Sequence, residues 1–400
     1  VPVRWDLPEW ERNRVAQVLD AAVLIRPEDM AVFDEAAAEP DGALADVVGP
    51  AVNGICSSGS TGTPKIIMDE TPAVFDPALA QPFPGNWGVR IGAQRILVPT
   101  ALYHTNGFAT FTHLLRGDSL AILEKFDAAR AVEVIEQVGI TTFTATPTML
   151  WRIAQLPGIA ERDLSSLVWV LQGAAVFPAA LTRTWIGLIG AERLYMSYGM
   201  TERLGLAAIR GDEWLAHPGS VGRGFRDTEI RILDAEGRDL PAGEVGEIYL
   251  RSPTTGRYGY LGASQPLPMT ADGFATAGDL GRLDADGFLY IADRRVDMIV
   301  TGGANVFPAE VEAAVSEHPG VADVVVIGLP DEEWGRRVHV LVEPADPQMA
   351  PSAQEIRAFA KGRLAGYKVP KTVEIVDVIP RSAATKVNRS ELVAQREARP

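Results

Sequence analysis

The sequence predicts an α/β fold: a large region of mainly parallel sheet covered by helices, a small β-barrel-like part, and a small α+β unit at the C-terminal end. Three observations predict it. From Trp10 to about Val342, short apolar runs alternate with amphipathic helical stretches. After Glu202, short strands separated by Gly/Asp turns take over. From about Val296, a helix, a buried strand and a further strand and helix form a unit of their own. With 400 residues the chain exceeds one compact domain, and the expected division is 1–295 and 296–400.

The elements follow in order. Gly54-Ile55-Cys56 and Ile66-Ile67-Met68 are short apolar runs on either side of a polar loop. The runs 95–98, 119–123, 141–144, 167–171 and 194–197 read as strands buried on both faces, with helices at 127–138 and 178–189 between them. Strands at 228–233, 246–250 and 288–292 are separated by turns such as Asp234-Ala235-Glu236-Gly237 and Asp284-Ala285-Asp286-Gly287. They predict a smaller antiparallel sheet or distorted barrel. A helix is predicted at 308–317, strands at 321–327 and 337–342, and a further helix behind the capping box of Ser352 and Glu355.

Composition bounds the function. The net charge of −15, from 37 basic and 52 acidic residues, disfavours nucleic acid and anionic membrane as partners. A nucleotide would need locally arranged amides and cations. The single cysteine, Cys56, leaves no intrachain disulfide and fits a cytoplasmic chain. No apolar stretch reaches the roughly 18 residues of a membrane helix. Val1 stands where a starting Met would be, so a processed or trimmed end is expected.

The most informative stretch is Ser57-Ser58-Gly59-Ser60-Thr61-Gly62-Thr63-Pro64-Lys65. A glycine- and hydroxyl-rich loop between strands exposes amides and hydroxyls that suit phosphate oxygens, and Lys65 adds a cation. It lacks the Gly-Lys step and following helix of the GTPase loop. A flexible Ser/Gly hairpin is the alternative reading.

That loop resembles the phosphate-loop signature of the adenylate-forming superfamily, which includes acyl-CoA synthetases, peptide-synthetase adenylation domains and firefly luciferase. Further matches occur in the family's order: Tyr198-Gly199-Met200-Thr201-Glu202, Ala277-Gly278-Asp279, Asp293-Arg294-Arg295, Gly302-Gly303-Ala304 running into Glu312, and 380–386 ending in Lys386. The resemblance spans about Asn53 to Leu392. Its wording is closest to fatty-acyl or bile-acid-type CoA ligases.

The resemblance implies ATP, Mg2+ and coenzyme A as cofactors, and a rotating C-terminal domain. By motif position, Ser57, Ser58, Gly59, Ser60, Thr61, Gly62, Thr63 and Lys65 would hold phosphates. Glu202, beside Thr201, would bind magnesium. Gly173, Ala174, Ala175, Tyr198 and Gly199 would border adenine. Asp279 would accept the ribose hydroxyls, with Arg294 near ribose and phosphate. Lys386 would bridge carboxylate and α-phosphate. Gly302 and Gly303 would line the thiol channel. His104, in Tyr103-His104-Thr105-Asn106-Gly107-Phe108, would gate or line the acyl pocket; a structural histidine is the other reading.

The pocket segment carries no acid, which disfavours an α-amino acid. Small residues at Gly107, Ala145, Gly173, Ala174 and Ser197 suit a fatty, aryl or polycyclic acid. The acceptor thiol is coenzyme A or, alternatively, an acyl carrier protein. A non-catalytic nucleotide- or acyl-binding relative is a third reading, and the oligomeric state, a homodimer included, stays open.

The chain departs from the family's pattern in three places. Only 56 residues precede Ser57, so it is a fragment or a shortened member. Thr385 stands where Gly usually precedes the lysine, and Val296 where many relatives have a polar hinge residue.

Overall fold

The computed structural model describes residues 1–2, 9–20, 25, 29, 31, 48, 51, 53–57, 65–72, 74, 82–173, 177–261, 265–294, 297–301, 304–331, 334–381 and 387–397. Helix Glu9–Leu19 comes first, followed by an antiparallel hairpin, β1 (Asn53–Ser57) and β2 (Lys65–Asp69), with Ser57 and Lys65 as register partners at its open end. Burial pushes the Cys56 thiol on β1 up to about 11, so it stays a protonated, unreactive thiol.

The chain then builds a seven-stranded sheet from β3 (Arg95–Val98), β4 (Ser119–Ile122), β5 (Thr142–Ala145), β6 (Trp169–Gln172), β7 (Leu194–Gly199), β8 (Leu206–Arg210) and β9 (Arg223–Phe225). Their spatial order is β4-β3-β5-β6-β7-β8-β9. The first five run parallel, and β8 and β9 return antiparallel. Helix Ala128–Val138 begins where the Asp127 side chain accepts from the Arg130 amide at 2.8 Å and ends at Gly139, φ 64°. It packs Val132 and Ile135 against Phe143 and Val170, and helix Ala179–Ile189 adds Trp185 to the same core. The opposite face carries Trp169 and Tyr195, which join Phe83, Trp87 and Phe225 in a ring cluster. Alternate residues of β6 and β7 thus face two cores. The strand expected at 119–123 is shorter, and it is not buried on both faces: β4 is the sheet edge and Ile122 is half exposed.

A four-stranded antiparallel sheet follows, made by β10 (Glu229–Leu233) and β11 (Gly246–Arg251) and completed further along the chain. Between them and its last two strands comes β12 (Tyr258–Leu261), which leaves to pair with β2 in the three-stranded sheet β1-β2-β12. β13 (Asp279–Leu283) and β14 (Leu289–Arg294) complete the order β10-β11-β13-β14.

The last five strands form their own sheet: β15 (Ile299–Thr301), β16 (Ala304–Val306), β17 (Val321–Asp331), β18 (Gly335–Pro344) and β19 (Thr372–Ile375). β17 and β18 outrun the expected strands. Val338, Val340 and Val342 join a core with Val311 and Val315 of helix Pro308–Ser316 and Ile356 of helix Ala353–Lys361. Leu341 faces the other way, onto Ile379 and Leu392 of helix Arg389–Glu397. Ser352 and Glu355 form the expected capping box. No helix among the described residues is long and apolar enough to cross a membrane.

Candidate active site

Parallel strands share one direction, so their carboxyl ends open a common crevice, where α/β sheets bind ligands. Gly173 follows β6 there. A Cβ at Gly173 would lie 3.5 Å from Ser197 Oγ and 3.6 Å from Asn106 Nδ2, so these three positions meet at van der Waals distance. Ala174 and Ala175 lie outside the described residues. Tyr198 and Gly199 end β7, and a Cβ at Gly199 would sit 2.8 Å from Leu206 Cδ1.

Tyr198 Oη donates to Asp279 Oδ2 at 2.8 Å, joining the end of β7 to the start of β13. Gly278, at φ 82°, makes the turn that presents Asp279, and Asp279 is buried. Arg294 is the register partner of Asp279 across the β13–β14 pair. The expected adenine, ribose and phosphate residues Tyr198, Asp279 and Arg294 therefore share one neighbourhood.

Thr201 and Glu202 follow β7 after Met200. Thr201 Oγ1 lies 3.3 Å from Thr105 Oγ1, which brings the segment of His104 beside that of Glu202. His104 itself is the N-cap residue of the short helix Thr105–Phe108, with its ring 4.6 Å from that of Tyr103. Glu202 Oε1 accepts from Tyr260 Oη at 2.9 Å. Burial, and then the Glu202 charge, raise the Tyr260 pKa far above its ordinary value, so the phenol is a neutral donor at working pH. The next residue, Arg203, has φ 54° and forms an ion pair with buried Asp69 at the end of β2. Half-buried Glu202 offers a hard oxygen, with a hydroxyl residue adjacent in sequence. Such a donor set fits Mg2+, which takes one or two carboxylates and leaves room for phosphate and water.

Ser57 and Lys65 frame the predicted phosphate loop by their backbones, and Ser58, Gly59, Ser60, Thr61, Gly62 and Thr63 lie outside the described residues. So do Gly302, Gly303 and Lys386. Sequence spacing also gives no sign that His217, Asp284 and Asp286 gather, with one potential ligand atom each within 4.8 Å. The turn accounts for that group: Asp284 accepts from the amides of Asp286 and Phe288, from Tyr290 Oη and from His217.

The model of the AMP-binding enzyme family matches residues 52–261, and that of the AMP-binding enzyme C-terminal domain matches 310–386. The chain belongs to the AMP-binding enzyme family. The chain is 33% identical, over 84% of its length, to a fatty acid–acyl-carrier-protein ligase of Streptomyces coeruleorubidus. It is 35% identical, over 85% of its length, to a medium/long-chain-fatty-acid–CoA ligase of Mycobacterium tuberculosis. The chain spans 66% of the first relative and 60% of the second. Among solved structures, it matches o-succinylbenzoate coenzyme A synthetase from Bacillus subtilis in complex with ATP and magnesium ion, with a TM-score of 0.78 and 26% identity. That match covers 96% of this chain and 82% of the other. The fold is that of the adenylate-forming superfamily.

Sequence reasoning missed Tyr260 and the Arg203–Asp69 pair. Tyr260 depends on β12 crossing to β2, a pairing over nearly two hundred residues, and the ion pair joins residues 134 apart in the chain, so no local pattern encodes either. The one available signal is the spacing of Tyr258 and Tyr260, which puts both rings on one face of an extended strand.

Proposed function

We propose that the chain activates a non-amino-acid carboxylic acid with ATP and Mg2+ to an acyl-adenylate and passes the acyl group to the thiol of coenzyme A. The observation that carries this reading is the Tyr198–Asp279 pair. In a chain whose two family matches are both AMP-binding, Tyr198 stands at the carboxyl end of parallel strand β7, four residues before Glu202.

In the first half-reaction a carboxylate oxygen forms a bond to the α-phosphorus and the bond to pyrophosphate breaks. In the second, the thiol sulfur forms a bond to the acyl carbon and AMP leaves. Asp279 would hold the ribose hydroxyls, with Tyr198 fixing its carboxylate. Ser57, Lys65 and the loop between them would hold the phosphates, and Arg294 would lie near ribose and phosphate. Magnesium bound at Glu202 would neutralise pyrophosphate charge. Gly173, Ala174, Ala175 and Gly199 would let the flat base approach the backbone, and His104 would border the acyl pocket. Lys386 would hold the carboxylate against the α-phosphate, so that the bound geometry replaces a chance encounter. Gly302 and Gly303 would line the thiol path. The working division is 1–295 and 296–400; no sheet among the described residues takes strands from both sides of it. Consumption of ATP and coenzyme A would suit the cytoplasm.

Pyrophosphate release over a panel of carboxylic acids, with and without coenzyme A, tests this. Acid-dependent release and a thioester product are expected, and neither with any acid would refute it. A carrier-protein acceptor is the second reading, supported by the acyl-carrier-protein ligase among the relatives. A phosphopantetheine-bearing acyl carrier protein supplied in place of coenzyme A separates the two.

A further inference from the structure

We infer that Tyr260 is a positioning residue for Glu202: its hydroxyl fixes the carboxylate in the orientation that presents its other oxygen to a divalent cation. This rests on the reading of Glu202 as the magnesium ligand.

Glu202 precedes Arg203, whose φ of 54° is uncommon for a residue with a Cβ and persists only where the surroundings enforce it. They do so from three directions. The Arg203 amide closes a turn onto Met200 O at 3.0 Å. Its guanidinium pairs with Asp69 of β2. Its carbonyl accepts from Thr254 Oγ1 at 3.1 Å, while Thr255 Oγ1 donates to Leu204 O at 2.5 Å.

A fixed backbone still leaves the Glu202 side chain several rotamers, and Tyr260 narrows them. Its hydroxyl donates to Oε1 at 2.9 Å. Anchoring one oxygen of a carboxylate sets the direction of the second, as the partners of metal ligands commonly do. The Tyr260 ring is itself braced: it meets the Tyr258 ring edge-on at 5.2 Å, and Tyr258 Oη accepts from the Leu267 amide at 2.8 Å.

The placement also links two parts of the site. Tyr260 on β12 is the register partner of Ile67 on β2, two residues after Lys65. Asp69 closes the same strand. The strand that leaves the phosphate loop is thus tied to the metal-ligand segment through Tyr260 next to it and through its own Asp69. The small sheet β1-β2-β12 holds the loop ends and Glu202 in one frame.

Tyr260→Phe keeps the ring and its packing and removes only the hydroxyl. Magnesium is titrated against ATP binding by calorimetry, in wild type and variant, alongside thermal melting. The Mg2+ concentration at half-saturation is expected to rise about tenfold, the lower end of what partners of metal ligands contribute. Tyr290→Phe, which removes a hydroxyl that donates to Asp284 and not to Glu202, should leave that concentration unchanged. In the Glu202→Gln background, Tyr260→Phe should add no further shift, because the two residues act as one unit. An unchanged magnesium midpoint in folded Tyr260→Phe overturns the assignment and leaves the role of Glu202 standing. Magnesium-independent ATP binding by the wild type overturns both. If Tyr260→Phe does not fold, Tyr260→Trp and Asp69→Asn carry the test: each should raise the midpoint, and a midpoint equal to wild type in both refutes the assignment.

Discussion

At the scale of single residues, the proposed site is organised by pairs in which a tyrosine hydroxyl would hold still the carboxylate to which a role is assigned. Tyr198 holds Asp279, and Tyr260 holds Glu202. The proposed metal role gives a direct prediction. Glu202→Gln preserves shape but replaces an ionic oxygen donor by a neutral amide, which binds a hard cation poorly. ATP-dependent activity at limiting Mg2+ should fall at least about tenfold, with recovery at high Mg2+ and an unchanged melting temperature. Kinetics over a magnesium series check this, and equal activity at limiting Mg2+ would assign the metal to another residue. Glu202 could be singled out as a candidate from its motif, Tyr198-Gly199-Met200-Thr201-Glu202, because a proposed ligand's chemistry travels with its own residue type. Tyr260 was not, because a hydroxyl that positions a ligand is defined by where its strand lands.

At the scale of elements, β17 and β18 carry the C-terminal unit because both faces of the pair are covered. Leu341 is fully buried against Ile379 and Leu392. Leu341→Ala should cost about 2–5 kcal/mol of stability, measured by denaturant unfolding. A cost near zero would mean that helix Arg389–Glu397 does not pack there. The neighbouring His339 makes a pH-dependent contribution. Burial lowers its pKa below the ordinary value of 6.5, against the opposing pull of Glu374. Arg396 and Arg337 lower it further, and Thr372 Oγ1 contacts Nδ1 at 2.7 Å. The unfolded chain therefore takes up a proton first as pH falls. This contribution is fully present above the unfolded value of 6.5 and is lost progressively as pH falls through that value and below it. Melting temperatures of wild type should fall over that window more than those of His339→Gln; parallel curves would exclude the effect. The alternation of apolar runs and helices was readable because period and burial agree in β3, β5, β6 and β7. β12, β13, β15, β16 and β19 were not, since three- to five-residue strands with Gly, Asp or polar positions look like turns until a partner strand is present.

At the scale of the whole molecule, the proposal divides labour between a region that binds nucleotide and a C-terminal unit that supplies a lysine and then a thiol path. Lys386→Ala should abolish acid-dependent pyrophosphate release yet still convert presynthesised acyl-adenylate to thioester. Gly303→Trp should do the reverse. Each half-reaction is assayed alone, because the overall rate hides which one failed. Loss of the same half-reaction in both variants would refute the division. The central claim, that the carboxylate itself attacks the α-phosphorus, is tested most directly by following oxygen. The acid is labelled with heavy oxygen in its carboxylate and turned over with ATP and coenzyme A, and the nucleotide product is analysed by mass spectrometry. The account predicts one labelled oxygen in AMP and none in pyrophosphate. Label appearing in inorganic phosphate alongside ADP, or unlabelled AMP from a productive reaction, would contradict it.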